Sequence, residues 1–383
     1  MINTLQLQSQ LADPYSLYEE CLLRHPVYWD DANKIWAVYS YEHCLKILND
    51  KNAQIPLVKH FSADATIDTI SASLVRLSNP PNHHALKTVA LYLFDKLKNV
   101  SISEILFSEI EKARDGNSVD WAVASRKLFP NLIVKGFDFP EEDAAFLVEN
   151  ILSFVKLMGA INDEKSFGSI STIVNNAYEI INRRFVENLL TKQEVNHLAS
   201  VSDIDEKDIL TMLVSNFMGL LIQSYDAGRG LLVNGLVQLL RYKDDAGKID
   251  FDENFCRKII VETLRFDPPV HNTRRIANDD ILMGETTIRK GQTILLVLAA
   301  ANRDAAKFIR PNVFDFDRLN NEHLTFGAGG HACLAKHYCI NIAAKIFDLL
   351  IAKYPFVKLF QTKLQYEPLI NVRIPESLLI KLQ

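Results

Sequence analysis

A helical pattern from 205 to 243 constrains the fold more than any other segment of the chain. Between Met212 and Ile222, apolar residues cover most of the helix surface rather than a single stripe. A helix of this kind has to be buried inside a large protein body. Two glycines within it, Gly228 and Gly230, each cost about 1 kcal/mol relative to alanine. Their presence indicates a kink or the close approach of another segment.

The rest of the chain is also predicted to be mainly helical, with a small β portion. No Pro/Ser-rich linker or internal repeat marks a boundary, so we expect one domain over 11–383 after a polar tail at 1–10. The expected strands lie at 27–29 and 35–39, which pair around a turn at 30–33, and at 270–277, 280–288 and 293–297, with a closing hairpin at 356–383. The expected helices lie at 14–24, 41–48, 80–96, 101–113, 117–128, 141–160, 166–191, 205–243, 252–266 and 338–351.

Composition excludes several classes of protein. A net charge of -5 gives no reason to expect nucleic acid or a membrane surface as a partner. No uninterrupted apolar run reaches the roughly 18 residues that a spanning helix needs. Five cysteines, an odd number in a long chain that starts without a signal pattern, favour reduced thiols. We therefore expect a soluble cytoplasmic protein.

The loop from His323 to Ala335 carries the clearest chemistry. Cys333 lies just before a predicted helix, where the helix dipole favours a thiolate, and the glycines allow close approach to a large flat partner. This pattern indicates a thiolate ligand on a prosthetic metal, although a buried inert cysteine would also fit the loop alone. A zinc site with His331, His337 and Cys339 is disfavoured, because positions 337 and 339 lie about 200° apart around a helix.

A second feature, which begins 71 positions before Cys333, strengthens the interpretation of this loop as a ligand site. Glu262 and Arg265 are an acid and a base at i, i+3, which by itself would be a surface pair of little value. With the loop at Phe326–Ala335, however, the chain resembles the soluble bacterial branch of the cytochrome P450 superfamily, the haem-thiolate monooxygenases. Glu262 and Arg265 match its Glu-x-x-Arg pair, and Arg318 matches the arginine to which that pair locks. The resemblance extends over about 11–383, with alanine at 335 where glycine is more frequent.

The resemblance implies a single-domain haem-thiolate fold that binds haem b (iron protoporphyrin IX). Cys333 would be the axial ligand, and amides of the glycine turn would bond its sulfur. The two haem propionates need charge-assisted donors. The family's propionate-binding pair is His-x-x-x-Arg, and here lysine replaces the arginine. The expected haem-contacting residues are His83, Lys87, Arg275, Phe326, Gly327, His331, Cys333 and Ala335.

The helix at 205–243 is similar to the family's central helix, which crosses the oxygen side of the haem and usually reads Ala-Gly-x-acid-Thr. One placement on Ala227–Leu231 loses both the acid and the alcohol. We prefer Gln223–Ala227, which makes Asp226 the acid and puts Ala227 in the place of threonine. Gln223 and Ser224 share a helix face with Ala227 and could hold a water there. Arg229 should point away from Ala227, as a structural or solvated charge.

The resemblance implies an oxidoreductase acting on a small or medium organic molecule in specialised metabolism, free or bound to a carrier protein. Electrons would come from a separate ferredoxin or flavodoxin with its reductase, docking near Lys336 and Lys345. Oxygen activation would be atypical, because half of the usual acid–threonine pair is missing. Two alternatives stay open. One is a peroxide-using or non-hydroxylating haem-thiolate enzyme that carries out coupling, isomerisation or dehydration, and the other is a non-catalytic haem-binding protein.

Overall fold

The structure is a computed structural model that describes residues 4–5, 10–11, 13–58, 63–159, 163–245, 251–360 and 363–382. Most of the tail predicted at 1–10 lies outside these residues. The chain groups into two compact units built from interleaved segments. We call them the mixed unit (Met1–Gln54, Ile102–Arg126 and Asp226–Gln383) and the helical unit (Ile55–Ser101 and Lys127–Tyr225). The predicted extent of one domain over 11–383 stays a prediction.

Helices dominate, as expected, and each strand found in the described residues belongs to the mixed unit. The strands are β1 (Val27–Asp30), β2 (Ile35–Val38), β3 (Ala53–Gln54), β4 (Arg114–Asp115), β5 (Ser118–Asp120), β6 (Thr273–Ala277), β7 (Ile281–Met283), β8 (Thr286–Ile288), β9 (Thr293–Leu296), β10 (Lys358–Leu359) and β11 (Leu379–Lys381). The α-helices are α1 (Pro14–Arg24), α2 (Tyr41–Asn49), α3 (Ala65–Ser73), α4 (His83–Lys96), α5 (Ile102–Lys112), α6 (Trp121–Ser125), α7 (Leu128–Gly136), α8 (Glu141–Glu149), α9 (Ile151–Val155), α10 (Glu164–Arg184), α11 (Lys192–Ser202), α12 (Glu206–Asp245), α13 (Glu253–Phe266), α14 (Leu298–Ala301) and α15 (Lys336–Lys353).

The helical unit is built around the first half of α12. Its apolar side chains pack with those of α3, α4 and α7 to α11 in one core. Within that core, the rings of Phe137 and Phe217 meet edge to face with 4.9 Å between centroids. Leu213, Val214 and Phe217 are fully buried, which confirms the predicted burial of this stretch. None of the helices in the described part of the chain is long and apolar enough to cross a membrane.

The mixed unit contains the sheets. Its largest sheet has the strand order β1-β2-β9-β6-β3, in which β2 runs parallel to β9 and the other pairs are antiparallel. The predicted hairpin of β1 and β2 is confirmed, with Val27 opposite Val38. Helix α1 begins as predicted, because the Asp13 side chain accepts a hydrogen bond from the backbone N–H of Tyr15.

The predicted helix at 117–128 is wrong over its first half. Residues 118–120 form β5, which pairs with β11 from the end of the chain, and the short helix α6 begins only at Trp121. Asp120 ends the strand and caps the helix by accepting hydrogen bonds from two backbone amides. The local pattern could not reveal a partner strand roughly 260 positions away. The tail therefore forms more than a hairpin, because β11 pairs with both β10 and β5.

Helix α12 is continuous from Glu206 to Asp245, so its glycines do not interrupt it. A Cβ atom at Gly230 would lie 2.6 Å from Cβ of Pro269 and 3.0 Å from Cγ1 of Ile374. Those distances are too short for non-bonded carbon atoms. Of the two predicted explanations, close approach of another segment is therefore correct at this position.

Candidate functional site

The loop that carries Cys333 is a compact turn in front of α15. The backbone N–H of Cys333 donates to the carbonyl oxygen of Phe326 at 2.8 Å, and that of Gly327 donates to Leu324 at 2.8 Å. Gly327 and Gly329 adopt φ values of 68° and 65°. L-residues with side chains rarely adopt this left-handed conformation. The glycines therefore let the chain close the turn and bring Cys333 close to the start of a helix.

Cys333 differs from the other cysteines, all of which lie in described segments. Its side chain is exposed, whereas the rest are buried or half-buried. Burial raises the pKa of each of the other four thiols above the ordinary value, so they stay protonated at neutral pH. Cys333 is therefore the cysteine best placed to act as a ligand. The four others are Cys21, Cys44, Cys256 and Cys339.

Gly329 is also packed tightly against the end of α2. A Cβ atom there would lie 2.7 Å from the carbonyl oxygen of Leu48 and 2.9 Å from Oδ1 of Asn49. Because the nearest atom belongs to the backbone, it cannot move away cheaply. The absence of a side chain at Gly329 therefore allows the loop to pack directly against the end of α2.

We expect Gly329→Ala to lower the free energy of unfolding by about 2–5 kcal/mol and to reduce haem retention. Left-handed backbone costs alanine about 1–2 kcal/mol, and overpacking adds about 1–3 kcal/mol. Urea unfolding of the holoprotein measures this change. Gly284→Ala is the matched control, because Gly284 has φ of 63° but nothing within 4 Å of a new Cβ atom. Equal losses in the two variants would contradict the packing role.

Two polar side chains attach the start of the loop to α13. The hydroxyl of Thr325 donates to the carbonyl oxygen of Leu264 at 2.5 Å and accepts from Nδ2 of Asn302 at 2.8 Å. Oδ1 of Asn302 accepts from the backbone N–H of Leu324 at 2.7 Å. Both polar side chains are buried, so every bond they make replaces a bond to water. The sequence analysis did not identify this role of Asn302.

The predicted acid–base pair is confirmed as a buried bidentate ion pair. Nε and Nη2 of Arg265 lie 3.0 and 2.7 Å from the two carboxylate oxygens of Glu262, and neither side chain is exposed. Nε of Arg318 lies 3.4 Å from Oε1 of Glu262, as predicted for the third member. The backbone N–H of Asp315 donates to the same oxygen at 2.9 Å. Arg265 also donates to the carbonyl oxygens of Asn302, Pro311 and Val313.

His323 lies at the entrance to the loop, in contact with Phe326. Their ring centroids are 5.6 Å apart. Burial lowers the pKa of His323 to about 3, with smaller contributions from the positive charges of Lys336 and Arg265. The ring is therefore neutral at physiological pH and packs as an aromatic group.

The predicted propionate-binding residues fall into both units. In the mixed unit, Arg275 is buried in β6, where Nη1 donates to the carbonyl oxygen of Arg274 at 2.8 Å, and His331 is half-buried. In the helical unit, His83 is buried at the start of α4, with Nδ1 2.9 Å from the hydroxyl of Ser78. Lys87 lies one turn later and is half-buried. The spacing of His83 and Lys87 therefore puts both on one helix face, as expected.

The predicted oxygen-side residues lie on one stretch of α12. Gln223 is exposed, and Ser224, Asp226 and Ala227 are half-buried, although most of the surrounding helix is buried. Nε2 of Gln223 donates to Gly219 at 3.1 Å, and the hydroxyl of Ser224 donates to Leu221 at 2.8 Å, both on the same helix. Oε1 of Gln223 and the lone pairs of the Ser224 hydroxyl remain as acceptors.

Asp226 forms an ion pair that the sequence pattern did not predict. Arg229 is almost fully buried, and its Nη2 lies 2.8 Å from Oδ1 of Asp226. Its Nη1 lies 2.6 Å from Oε1 of Glu367. Arg229 is therefore a structural charge, one of the two predicted alternatives, and not a solvated one. The missed partner, Glu367, is 138 positions away and carries no local signal.

These residues fit a haem group. The loop offers one exposed thiol at a helix start, beside glycines without side chains, and buried or half-buried basic groups suit two propionates. Across residues 4–382, leaving aside the undescribed gaps, no group of three or more His, Cys, Asp or Glu side chains could hold a metal ion.

Comparison with known proteins agrees with this fit. A family model for cytochrome P450 matches residues 254–356. The biotin biosynthesis cytochrome P450 of Bacillus subtilis (strain 168) is 27% identical, over 96% of each chain. A solved structure of P450BioI in complex with hexadec-9Z-enoic acid ligated acyl carrier protein has a TM-score of 0.80 at 24% identity, covering 97% of this chain and 99% of that one. The bacillaene polyketide synthase cytochrome P450 PksS of Bacillus subtilis 168 has a TM-score of 0.80 at 19% identity, over 100% of each chain.

The fold and the site define a haem-thiolate oxidoreductase. The chain belongs to the cytochrome P450 superfamily, of the bacterial type. Its fold is mainly helical with a small sheet portion, as predicted, and its cofactor is haem b.

Proposed function

We propose that this enzyme is a monooxygenase in which Cys333 would supply the thiolate ligand that holds haem b. The observation that carries the proposal is the exposed Cys333 thiol, held in a closed glycine turn directly before α15. Thiolate-ligated haem supplies dioxygen activation, since the thiolate donates electron density that favours O–O cleavage. The chain's own residues then have to hold the cofactor, exclude bulk water and manage protons.

The proposed donors to the haem propionates in the mixed unit are Arg275 and His331. The family resemblance assigns the same role to His83 and Lys87, which belong to the helical unit. A charge-assisted bond is about twice as strong as a neutral one, so each donor adds to haem retention. Lysine at 87 provides a point charge where arginine would provide a planar fork. Phe326, Gly327 and Ala335 would contact the face of the macrocycle on the Cys333 side.

Proton handling would be atypical, because Ala227 has a methyl group at the position where the family resemblance implies the hydroxyl of a threonine. General acid assistance is commonly worth about 10²–10⁴ in rate. We propose that Gln223 and Ser224 compensate by holding a water near Ala227 with their free acceptor positions, together with Asp226. The in-helix bonds of Gln223 and Ser224 support this role, because they restrict both side chains to defined conformations.

The substrate is proposed to be a small or medium organic molecule of specialised metabolism. The similarity to a biotin biosynthesis enzyme and to a polyketide synthase enzyme supports this class. A carrier-bound acyl chain is the form we propose to test first, because one similar structure holds an acyl carrier protein with a fatty acid attached.

Electrons would come from a separate ferredoxin or flavodoxin with its reductase. We expect docking on the exposed surface at the start of α15, near Lys336. Lys345, the second lysine proposed there, pairs with Asp348 at 2.8 Å and with Glu253 at 3.5 Å. Its charge is therefore partly compensated, and Lys336 should contribute more to docking.

A peroxide-using enzyme is the second candidate. It is favoured by one observation, the engagement of Asp226 by Arg229 next to a position that has no hydroxyl. A peroxide molecule brings both the oxygen and the two electrons, so such an enzyme needs no reductase.

The test uses holoenzyme with hexadec-9Z-enoic acid, free and attached to an acyl carrier protein. We expect a shift of the Soret band, at lower concentration for the carrier-bound form, and products by mass spectrometry with ferredoxin and its reductase. Products with hydrogen peroxide alone would favour the second candidate. If neither electron source gives a product from this acid or from a wider panel of acids and polyketides, the enzymatic proposal is wrong.

We expect Ala227→Thr to raise the yield of product per NADPH by about 3–10 fold, because it restores a hydroxyl on the helix face shared with Gln223 and Ser224. The gain is smaller than the full factor of about 10²–10⁴ from general acid assistance, since Gln223, Ser224 and Asp226 are proposed to compensate for the missing hydroxyl. The measurement compares NADPH consumed, product formed and hydrogen peroxide released. Ala227→Val is the matched control, since it adds similar volume without a hydroxyl. No difference between the two variants would show that position 227 has no role in proton handling here.

A further inference from the structure

A buried charge cluster lies on α12 directly after the oxygen-side stretch. Oδ1 of Asp226 accepts from Nε of Arg229 at 3.1 Å and from Nη2 at 2.8 Å. On its other side, the guanidinium donates to Glu367, from Nη1 to Oε1 at 2.6 Å and from Nη2 to Oε2 at 2.7 Å. Arg229 therefore forms a bidentate ion pair with Glu367 and donates two hydrogen bonds to a single oxygen of Asp226.

The electrostatics of this cluster keep Arg229 charged. Burial favours the neutral form, but the hydrogen bonds to Glu367 and the negative charge of Asp226 outweigh it and raise the pKa of Arg229 above its ordinary value. Arg126, a second arginine, lies 3.8 Å from Glu367 and is 41% exposed. The two acids and two bases balance, so the cluster has no formal net charge.

The cluster leaves one part of Asp226 available. Both contacts to Arg229 use Oδ1, and Oδ2 has no partner among the described residues. The Asp226 side chain is 27% exposed, whereas that of Arg229 is 5% exposed. A carboxylate that accepts two hydrogen bonds through one oxygen cannot rotate freely. Its second oxygen can still accept hydrogen bonds from water.

We propose that Arg229, anchored by Glu367, is a positioning residue that fixes Asp226 so that Oδ2 holds a water beside Ala227. This inference rests on the proposed function, because it concerns proton handling in a haem-thiolate enzyme. In this proposal, a water held by the oriented Asp226 carboxylate takes the place of the missing hydroxyl group. A mobile acid, able to swing between solvent and the site, is incompatible with the two bonds to Arg229.

The first test measures the carboxylate directly in holoenzyme labelled with 4-¹³C-aspartate. The infrared difference between wild type and Asp226→Asn isolates the carboxylate band of residue 226. We expect Arg229→Gln and Glu367→Gln to shift or broaden this band. The first variant removes the hydrogen bonds from the guanidinium to Oδ1, and the second weakens the ion pair that positions the guanidinium. Arg183→Gln, which breaks an exposed ion pair with Asp143, should leave it unchanged. A band unaffected by both cluster variants would overturn the positioning role.

The second test measures proton handling with ferredoxin, its reductase and hexadec-9Z-enoic acid, in H₂O and in D₂O. We expect Arg229→Gln to raise hydrogen peroxide released per NADPH by about tenfold or more, since a misplacement of ~1 Å can cost about 10²-fold. The solvent isotope effect should change in the same variant. Arg229→Lys, which keeps the charge and loses the fork, should be intermediate. Adding Asp226→Asn to Arg229→Gln should change nothing further.

Two controls separate this inference from the proposed function and from simple unfolding. Every variant is checked for the red-shifted band of the reduced, carbon-monoxide-treated protein and for its imidazole dissociation constant. Absence of that band in the wild type would remove the proposed function itself. A normal band with wild-type peroxide release in Arg229→Gln would overturn only the positioning role. If Arg229→Gln does not fold, Glu367→Gln decides, because Glu367 is nearer the surface, with 18% of its side chain exposed.

Discussion

Replacing Cys333 with serine is expected to abolish the red-shifted absorption band of the reduced, carbon-monoxide-treated protein. Serine has nearly the same shape but cannot supply a thiolate at neutral pH. Turnover with either electron source should fall below detection, since the electron donation that favours O–O cleavage is lost. The measurement is the difference spectrum of the purified holoprotein, read together with its haem content.

Cys339→Ser is the matched control for this experiment. Cys339 lies six positions further on, within α15, and burial raises the pKa of its thiol, so it stays protonated. We expect this variant to keep the band. An unchanged spectrum in Cys333→Ser would remove Cys333 as the ligand, and loss of the band in Cys339→Ser alone would move the assignment to α15.

Breaking the buried ion pair in α13 should have the largest effect on stability. We expect Glu262→Gln to lower the free energy of unfolding by about 3–5 kcal/mol, because it leaves Arg265 buried without its counter-charge. That is a large fraction of the ~5–15 kcal/mol by which proteins are usually stable. Haem content should fall as well, since Arg265 also holds the backbone near Asn302, which anchors the Cys333 loop. Urea unfolding and haem content are the two measurements.

Arg257→Gln in the same helix is the control for that prediction. Arg257 pairs with Glu253 at 3.4 Å, but its side chain is 37% exposed. Water and salt screen such a pair, so its loss should cost about 0–1 kcal/mol. Similar losses in the two variants would show that burial does not set the value of the Glu262–Arg265 pair.

Local sequence was sufficient for elements whose signals lie within a few residues. Local signals predicted the helix at 14–24, and the two strand patterns on either side of the turn at 30–33 predicted the β1–β2 hairpin. The same logic failed at 117–128, where the partner that makes β5 a strand is β11. Strand pairing depends on a neighbouring strand in space. The sequence of a short segment with mixed propensity therefore does not reveal whether the segment forms a strand.

The Cys333 loop was evident in the sequence for a physical reason. The candidate ligand Cys333, the glycines and the helix that follows are contiguous, and the backbone conformation of each glycine is a local property. The family resemblance added the Glu262–Arg265–Arg318 set, whose contacts the structure confirms. The propionate-binding and oxygen-side residues remain predictions for the experiments above.

By itself, then, the amino-acid sequence determined the helical body and identified the Cys333 loop and Ala227 as candidates for the haem site. Only the tertiary structure showed which groups contact Asp226 and hold it in position. Its ion pair with Arg229 could be suspected from their spacing, but Glu367, which anchors Arg229, comes from a segment 138 positions away. An ion pair gains its value from burial and from the groups that surround it, and both are properties of the folded chain rather than of any local pattern.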